Sequence, residues 1–457
     1  MPSRRHELLR SIRRWLVVVS LLLGLGLVVL VNVGYVVADY RGGVVFLLGG
    51  IAGGAVALVA GATLFGDLVV VSGGGGPRDD ADDWFARATP SRRHTVALET
   101  PPGRRRFVLR ARTVRMDRLY AALPDAVAVV DVDAGEAVVR RLSPMPERSL
   151  QCVAASPTDP DVVCCGTADH GLFRSTDAGE RWGRAAGIEH DRVTSVTCAV
   201  TAEGDGGRRS GDVGAAEGDV TWWAGTEPSR VYASSDGATW HERAGLTTLP
   251  SSSSWAFPPR PHTHHVRWIE VDPHDPRHLY VAVEAGALVG THDAGETWTD
   301  RVPGSRIDTH SMATHADAPG RAYCAAGDGY AETVDGGETW TLLQEGLAHR
   351  YCWSVVVDPA DPEHRLVSAA RGAMTAHRAG SADSYVYRKR GETAWERVTG
   401  LPTGAGVTRY VLGVGTEGLY ALSNQGLFRS AGGDTWERLP LSVPTDAAAA
   451  GLAVVGR

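Results

Sequence analysis

Thr291-His-Asp-Ala-Gly-Glu-Thr-Trp298 states a pattern that the chain repeats at Ser175-Thr-Asp-Ala-Gly-Glu-Arg-Trp182, Ser234-Ser-Asp-Gly-Ala-Thr-Trp240 and Thr333-Val-Asp-Gly-Gly-Glu-Thr-Trp340. The shared form is Ser/Thr-x-Asp-x-Gly-x-x-Trp, with the copy ending at Trp240 one residue short. Its chemistry is that of a hairpin. Asp177, Asp236, Asp293 and Asp335 are placed to accept backbone N–H groups of their own turns, and the glycine takes a positive φ. Trp182, Trp240, Trp298 and Trp340 then open the next strand, with their rings expected to be buried. Two weaker echoes, Arg390-Gly-Glu-Thr-Ala-Trp395 and Ser430-Ala-Gly-Gly-Asp-Thr-Trp436, lack the aspartate at its place.

The period is 42 residues from Trp298 to Trp340 and 41 from Trp395 to Trp436. Two intervals stretch to 58 residues, one through an acidic, Gly-rich insert over Thr201–Asp219 and one through a Ser/Pro-rich stretch starting at Ser251. About 40 residues holding four short strands is one blade of a β-propeller. A Pro/Asp turn recurs in each unit, as in Ser156-Pro-Thr-Asp-Pro160, Asp272-Pro-His-Asp-Pro276 and Asp358-Pro-Ala-Asp-Pro362. Six units carry a Trp, and an earlier unit (Arg118–Leu123, Ala126–Asp131, Ala137–Leu142) lacks an evident innermost strand. Gly451-Leu-Ala-Val-Val-Gly456 can supply it and close the ring. The fold class is therefore all-β, a seven-bladed propeller over residues 116–457, with six or eight blades as alternatives.

The N-terminus is of another kind. Leu16–Ala38 and Gly43–Gly66 carry no charge and are each long enough to cross a bilayer as a helix. Asp39-Tyr-Arg-Gly42 allows only a tight link between them. Residues 1–72 thus read as a two-span transmembrane hairpin, and residues 73–115 as a flexible acidic linker plus a segment of uncertain role. Arg4, Arg5, Arg10, Arg13 and Arg14 precede the first span, so the positive-inside rule keeps both ends, and the propeller, in the cytoplasm. Export of the propeller is the alternative.

A formal charge of −7 argues against a general nucleic-acid binder. Six cysteines lie in apolar strand segments without a C-x-x-C pair, which predicts buried free thiols rather than a zinc or redox motif.

The repeats, the Asp-Pro-x-Asp-Pro turns and Cys165-Gly-Thr-Ala-Asp-His-Gly-Leu-Phe-Arg-Ser175 resemble the Asp-box (BNR) repeat propellers over about residues 116 to 440. That group includes sialidases, xyloglucan-cleaving glycosidases, sortilin-type receptor domains and the photosystem assembly factor of chloroplasts. The likeness extends in particular to prokaryotic proteins described as BNR-like repeat or glycosyl hydrolase-like. In that group the propeller begins near a string like Met116-Asp-Arg-Leu-Tyr120, which makes residues 1–115 an addition. The sialidase signature is missing: no Arg-Ile-Pro occurs, and Arg306-Ile-Asp308 is the nearest string. Fold alone assigns no reaction.

Topology places a site at the mouth formed by the starts of the innermost strands and the second-to-third-strand turns. His264-His-Val-Arg-Trp268 and Asp308-Thr-His310 introduce neighbouring blades there, joined by Arg350 and Arg409. His264, His265, Arg267, Trp268, Asp308, His310, Arg350 and Arg409 are the candidate binding residues. Asp308 is the first candidate catalytic carboxylate, with Glu284 or Glu227 as its partner. The cluster has three readings: a solvated rim, a site for an anionic or sugar-like ligand or protein segment, and a metal or acid/base site from His264, His265, Asp308 and His310. The spacing gives no ligand count, so no metal and no cofactor is assigned. The functional reading is a membrane-anchored binding or scaffold module for a protein or glycan ligand, and the alternative is a glycosidase. A chain beginning at Met116 is expected to be soluble, whereas the full chain should need detergent. A reporter fused after Arg457 should be active inside the cell, and activity only outside would reverse the orientation.

Overall fold

The computed structural model describes residues 116–456, apart from 125, 134–135, 143–148 and 202–218. The two apolar stretches, the linker, residues 84–115, Arg148 and most of the acidic insert lie outside the described residues. Among the described residues no helix is long and apolar enough to cross a membrane.

The strands form seven antiparallel sheets, which decides for seven blades over six or eight. In chain order the innermost strands of the second to seventh blades are Leu150–Ala155, Arg192–Val200, Val266–Val271, Thr309–Thr314, Tyr351–Asp358 and Val411–Gly415. That of the first blade is Gly451–Gly456, from the other end of the chain. Each innermost strand touches the next, and the ring is continuous.

Closure is a strand pairing. Gly451–Gly456 runs antiparallel to Met116–Ala122, with Asp117 opposite Gly456. The pairing turns an exposed sheet edge into an interior ladder. Asp117, fully buried, ties the first blade to the seventh: its carboxylate accepts the Thr416 and Glu417 N–H groups (2.9 Å each), the Thr416 hydroxyl (2.7 Å) and the Tyr420 hydroxyl (2.8 Å).

The Pro/Asp turns join neighbouring blades as well as strands. Tyr120 donates its hydroxyl to the Pro160 carbonyl at 2.6 Å, and Tyr323 does the same to Pro362 at 2.9 Å. Two residues before each tyrosine, Arg118 and Arg321 bridge a carboxylate of their own blade (Asp131, Glu332) to one beside the next blade's turn (Asp161, Glu363).

The repeated hairpins form as their residues dictate. In the fourth blade Asp293 Oδ1 accepts the Thr297 N–H at 2.8 Å, Thr291 Oγ1 accepts that of Gly295 at 3.0 Å, and Gly295 has φ 82°. Asp177, Asp236 and Asp335 make the equivalent contacts. The tryptophans depart from expectation. Trp240 is buried, but Trp182, Trp298 and Trp340 are only half-buried. Their indole N–H groups donate to carbonyls of turns (Gly179, Ala244 and Gly337), as that of the buried Trp240 does to Gly237.

The fourth blade departs further, with three strands where four are expected. After Trp298, Asp300 accepts the Ser251 backbone N–H at 2.8 Å instead of continuing a strand. The inserted segment behind Ser251 packs Leu246, Leu249 and Trp255 into the core of that blade. All six cysteines are free, and five are buried.

Hydrogen bonds to the ionised form hold the Asp293 carboxyl down to about 2. A depressed carboxyl contributes stability above its unfolded value and loses it as pH falls toward the folded one. Asp293→Ala should lower the melting temperature at neutral pH. The gap to wild type should close between about pH 4 and about pH 2, measured by thermal melts across that range.

Candidate functional site

Five of the seven innermost strands carry the same irregularity. Register slips by one residue between Leu150 and Cys152, Val193 and Ser195, Val266 and Trp268, Thr309 and Ser311, and Cys352 and Ser354. The residue left unpaired is Gln151, Thr194, Arg267, His310 or Trp353. A bulge re-aims its extra side chain. In the fourth, fifth and sixth blades the re-aimed side chains meet: the Arg267 guanidinium carbon lies 4.5 Å from the Trp353 ring centroid, and the His310 ring lies 4.6 Å from it.

Glu284 is the carboxylate on which the others converge. It opens the turn between the second and third strands of the fourth blade, and its side chain is 11% exposed. His265 Nε2 lies 2.9 Å from its Oε2, Arg267 Nε 3.6 Å from the same oxygen, and His310 Nε2 3.8 Å from Oε1. Burial by itself would push this carboxyl up. The His265 hydrogen bond and the basic side chains around it outweigh burial and hold it down at about 2.

Asp308 stands on the other side of His310, with its Oδ2 3.8 Å from Nε2 and its side chain 32% exposed. The Ala285 N–H donates to Asp308 Oδ1 at 3.1 Å, so the same turn that presents Glu284 orients Asp308. Gly327 makes room for it, since a Cβ there would lie 1.9 Å from Asp308 Oδ2. Burial and the Glu284 charge push the Asp308 carboxyl up. Two neighbouring carboxyls are thus driven in opposite directions.

Arg409, from the segment leading into the innermost strand of the seventh blade, closes the cluster. Its guanidinium carbon lies 3.8 Å from the Trp353 centroid, its Nε donates to His377 Nδ1 at 2.9 Å and its Nη1 to the Ala449 carbonyl at 3.1 Å. Among the described residues it has no carboxylate partner. Burial first, then the like charge of Arg267, disfavours its charged form. A guanidinium nevertheless stays protonated, so Arg409 is a buried cation short of a counter-charge. His377 answers by staying neutral: burial and Arg409 push it down to about 3. With Nδ1 accepting from Arg409, His377 donates Nε2–H to the Tyr351 hydroxyl at 3.2 Å.

Of the residues singled out from sequence, His265, Arg267, Asp308, His310 and Arg409 come together, and the partner of Asp308 is Glu284. Glu227 is not that partner, because Arg260 grips both its oxygens at 2.7 and 2.5 Å. Three expectations are corrected. His264 turns away to pack edge-on against Trp255, 5.5 Å between centroids, drawn by the inserted segment. Trp268 returns to the blade interior beside Tyr280 and Met312 and donates its indole N–H to Glu270, because the bulge is spent on Arg267. Arg350 is exposed and stands outside the cluster, because the re-aimed residue of its blade is Trp353. The cluster is also drier than a solvated rim, with His310 1% and Trp353 7% exposed.

Trp353, Tyr351 and His377 were missed. A signal existed for the first: Arg267, His310 and Trp353 are spaced by 43 residues, one repeat, as are Gln151 and Thr194. His377 lies in an irregular segment with no counterpart in other blades and gave none.

No protein-family model matches the chain, and no curated protein is similar enough to count as a relative. Among solved structures, an ancestral GH74 enzyme is 17% identical, with a TM-score of 0.44, over 72% of this chain and 40% of its own length. YCF48 from Cyanidioschyzon merolae is 17% identical, with a TM-score of 0.45, over 66% of this chain and 88% of its own. YCF48 bound to D1 peptide is 14% identical, with a TM-score of 0.43, over 67% and 92%. Likenesses of this strength decide neither fold nor function, and the seven-blade ring rests on the strand pairing itself.

Removing Glu284 strands His265 and Arg267 in a dry site. Glu284→Ala should therefore destabilise the protein by about 3–5 kcal/mol, read from urea unfolding. Asp308→Asn, with a third of its side chain in solvent, should change stability far less.

Proposed function

We propose that the chain is a binding or scaffold module whose mouth cluster takes an anionic group of a protein or glycan ligand. The observation that carries this reading is Arg409, a buried guanidinium lying over Trp353 without a carboxylate partner among the described residues. An uncompensated buried cation is costly, and an anionic ligand removes that cost on binding. Arg267, over the same indole and 3.6 Å from Glu284, supplies a second guanidinium beside it. Polar ligands in propellers and other concave sites are oriented by a few such groups set among aromatic rings. We further propose that the two apolar N-terminal stretches hold the propeller at the cytoplasmic side of a membrane, a reading supported by their length and by the arginines before the first.

A second reading, glycoside hydrolysis, is favoured by one observation. The Glu284 and Asp308 carboxyls lie within 4.8 Å of each other with their acidities driven apart, as an acid and a nucleophile of a retaining enzyme are. Against it, His265, Arg267 and His310 all face Glu284, whose side chain is only 11% exposed.

The full chain should be stabilised in thermal melts by carboxylate- or phosphate-bearing probes such as citrate, inorganic phosphate or a uronic acid oligomer. Arg409→Met should abolish that shift, and a panel of glycosides should yield no product. Hydrolysis of any glycoside that Glu284→Gln and Asp308→Asn both abolish would make the enzyme reading the correct one.

A further inference from the structure

We infer that Glu284, Asp308 and His310 form a binding site for one divalent transition-metal ion, Mn2+ or Zn2+. The inference does not depend on the anion reading above and uses different atoms of the cluster.

His310 fixes the argument. Its Nδ1 lies 2.6 Å from the Cys352 carbonyl, an atom that only accepts, so Nδ1 carries the proton and donates it. In the neutral ring the Nε2 lone pair is then aimed away from the backbone. His310 is 99% buried, its ring is clamped by Tyr351 at 4.7 Å and Trp353 at 4.6 Å, and Nε2 makes no hydrogen bond with any described residue. What Nε2 faces is Glu284 Oε1 and Asp308 Oδ2, each at 3.8 Å. Three electron-pair donors pointed at one spot repel one another unless a positive centre is shared among them.

The surroundings have the form of a metal site. A histidine ligand usually passes its other ring N–H to a backbone carbonyl or carboxylate, which sets the tautomer and aims the donor nitrogen, as Cys352 does here. Glu284 is oriented in turn by His265 on its second oxygen, which leaves Oε1 for the ion. Asp308 is held by the Ala285 N–H through Oδ1, which leaves Oδ2. The three donor atoms lie within 4.8 Å of one another. An ion between them would sit about 2.5 Å from each, a few tenths of an ångström beyond ordinary Zn–N and Zn–O lengths of about 2.0–2.2 Å. A small inward rotation of the half-exposed Asp308 closes that gap. One imidazole with two carboxylates suits Mn2+ or Zn2+ better than Mg2+ or Ca2+, which take oxygen donors almost alone. Asp308, as the exposed member, marks the side on which water or a ligand atom completes the coordination.

The test uses the full chain, purified in detergent, stripped with a chelator and titrated with MnCl2 while the electron paramagnetic resonance signal of free Mn2+ is followed. Wild type should bind one equivalent saturably and release it to ZnCl2. Asp308→Asn and His310→Gln should each weaken binding by more than about tenfold. Asp328→Asn, whose carboxylate is taken by Arg306 at 2.6 Å, should bind as wild type does. Should His310→Gln fail to fold by circular dichroism, the near-isosteric Asp308→Asn decides alone. No saturable binding would mean that Nε2 carries a proton and pairs with both carboxylates as an imidazolium, which overturns the proposal. Asp308→Asn binding as tightly as wild type overturns it too. Displacement of Mn2+ by equimolar Ca2+ would overturn the choice of ion.

Discussion

A ring of sheets has to close, and here closure rests on six residues from the far end of the chain. Gly451–Gly456 contributes the innermost strand of a blade whose other three strands come from Met116 onward. Without that pairing the first blade would present a bare edge and the seventh would lack a neighbour on one face. The four hydrogen bonds that saturate the buried Asp117 carboxylate fall at this seam. Elsewhere the seams rely on sequence-local devices: tyrosine hydroxyls on Pro-turn carbonyls, arginines spanning two blades, and serine hydroxyls such as Ser311 and Ser354 that accept the Val355 and Leu412 N–H groups of the next blade.

Closure also concentrates the chemistry. Seven innermost strands converge on one axis, so a single extra residue in each is enough to fill it with side chains. The bulges in the second to sixth blades do this, and their position one or two residues into the strand keeps the re-aimed side chains near one level. The residue after two of these bulges, Ser311 and Ser354, bonds to the neighbouring blade, so the irregularity there is braced rather than loose. A polar cluster then forms in a place dry enough for its charges to matter.

Within the cluster, burial pushes both carboxyls up and their neighbours set the two acidities apart. Glu284 and Asp308 are the same chemical group on the two sides of His310. Glu284 receives a direct hydrogen bond from His265 and is held down, whereas burial, with the Glu284 charge added, pushes Asp308 up. His377 gives way to Arg409 by remaining neutral. The irregular segment that carries His377 and the inserted Leu246–Trp255 segment are departures from the repeat. Each alters the site: one supplies a ring on Arg409, and the other draws His264 away.

The repeat was legible in the sequence because it is local chemistry. A Ser/Thr, an Asp and a Gly at fixed spacing form their turn from their own backbone, so four such strings and two weaker echoes marked six units in order and left Gly451–Gly456 as a spare strand, while the blade count fell to the strand pairing. The mouth was legible in outline for the same reason, since strand starts follow from the period; His265, Arg267, Asp308, His310 and Arg409 were within reach. What tertiary structure alone decided was direction. A slip of one residue sends Arg267 to the axis and Trp268 to the core, and nothing in Val266-Arg-Trp268 says which of the two will go. It likewise chose Glu284 over Glu227, because Arg260, 33 residues further along, folds back to occupy Glu227. Turns are written in neighbours along the chain, whereas the partners of a buried charge are set by whichever side chains the closed ring brings to it.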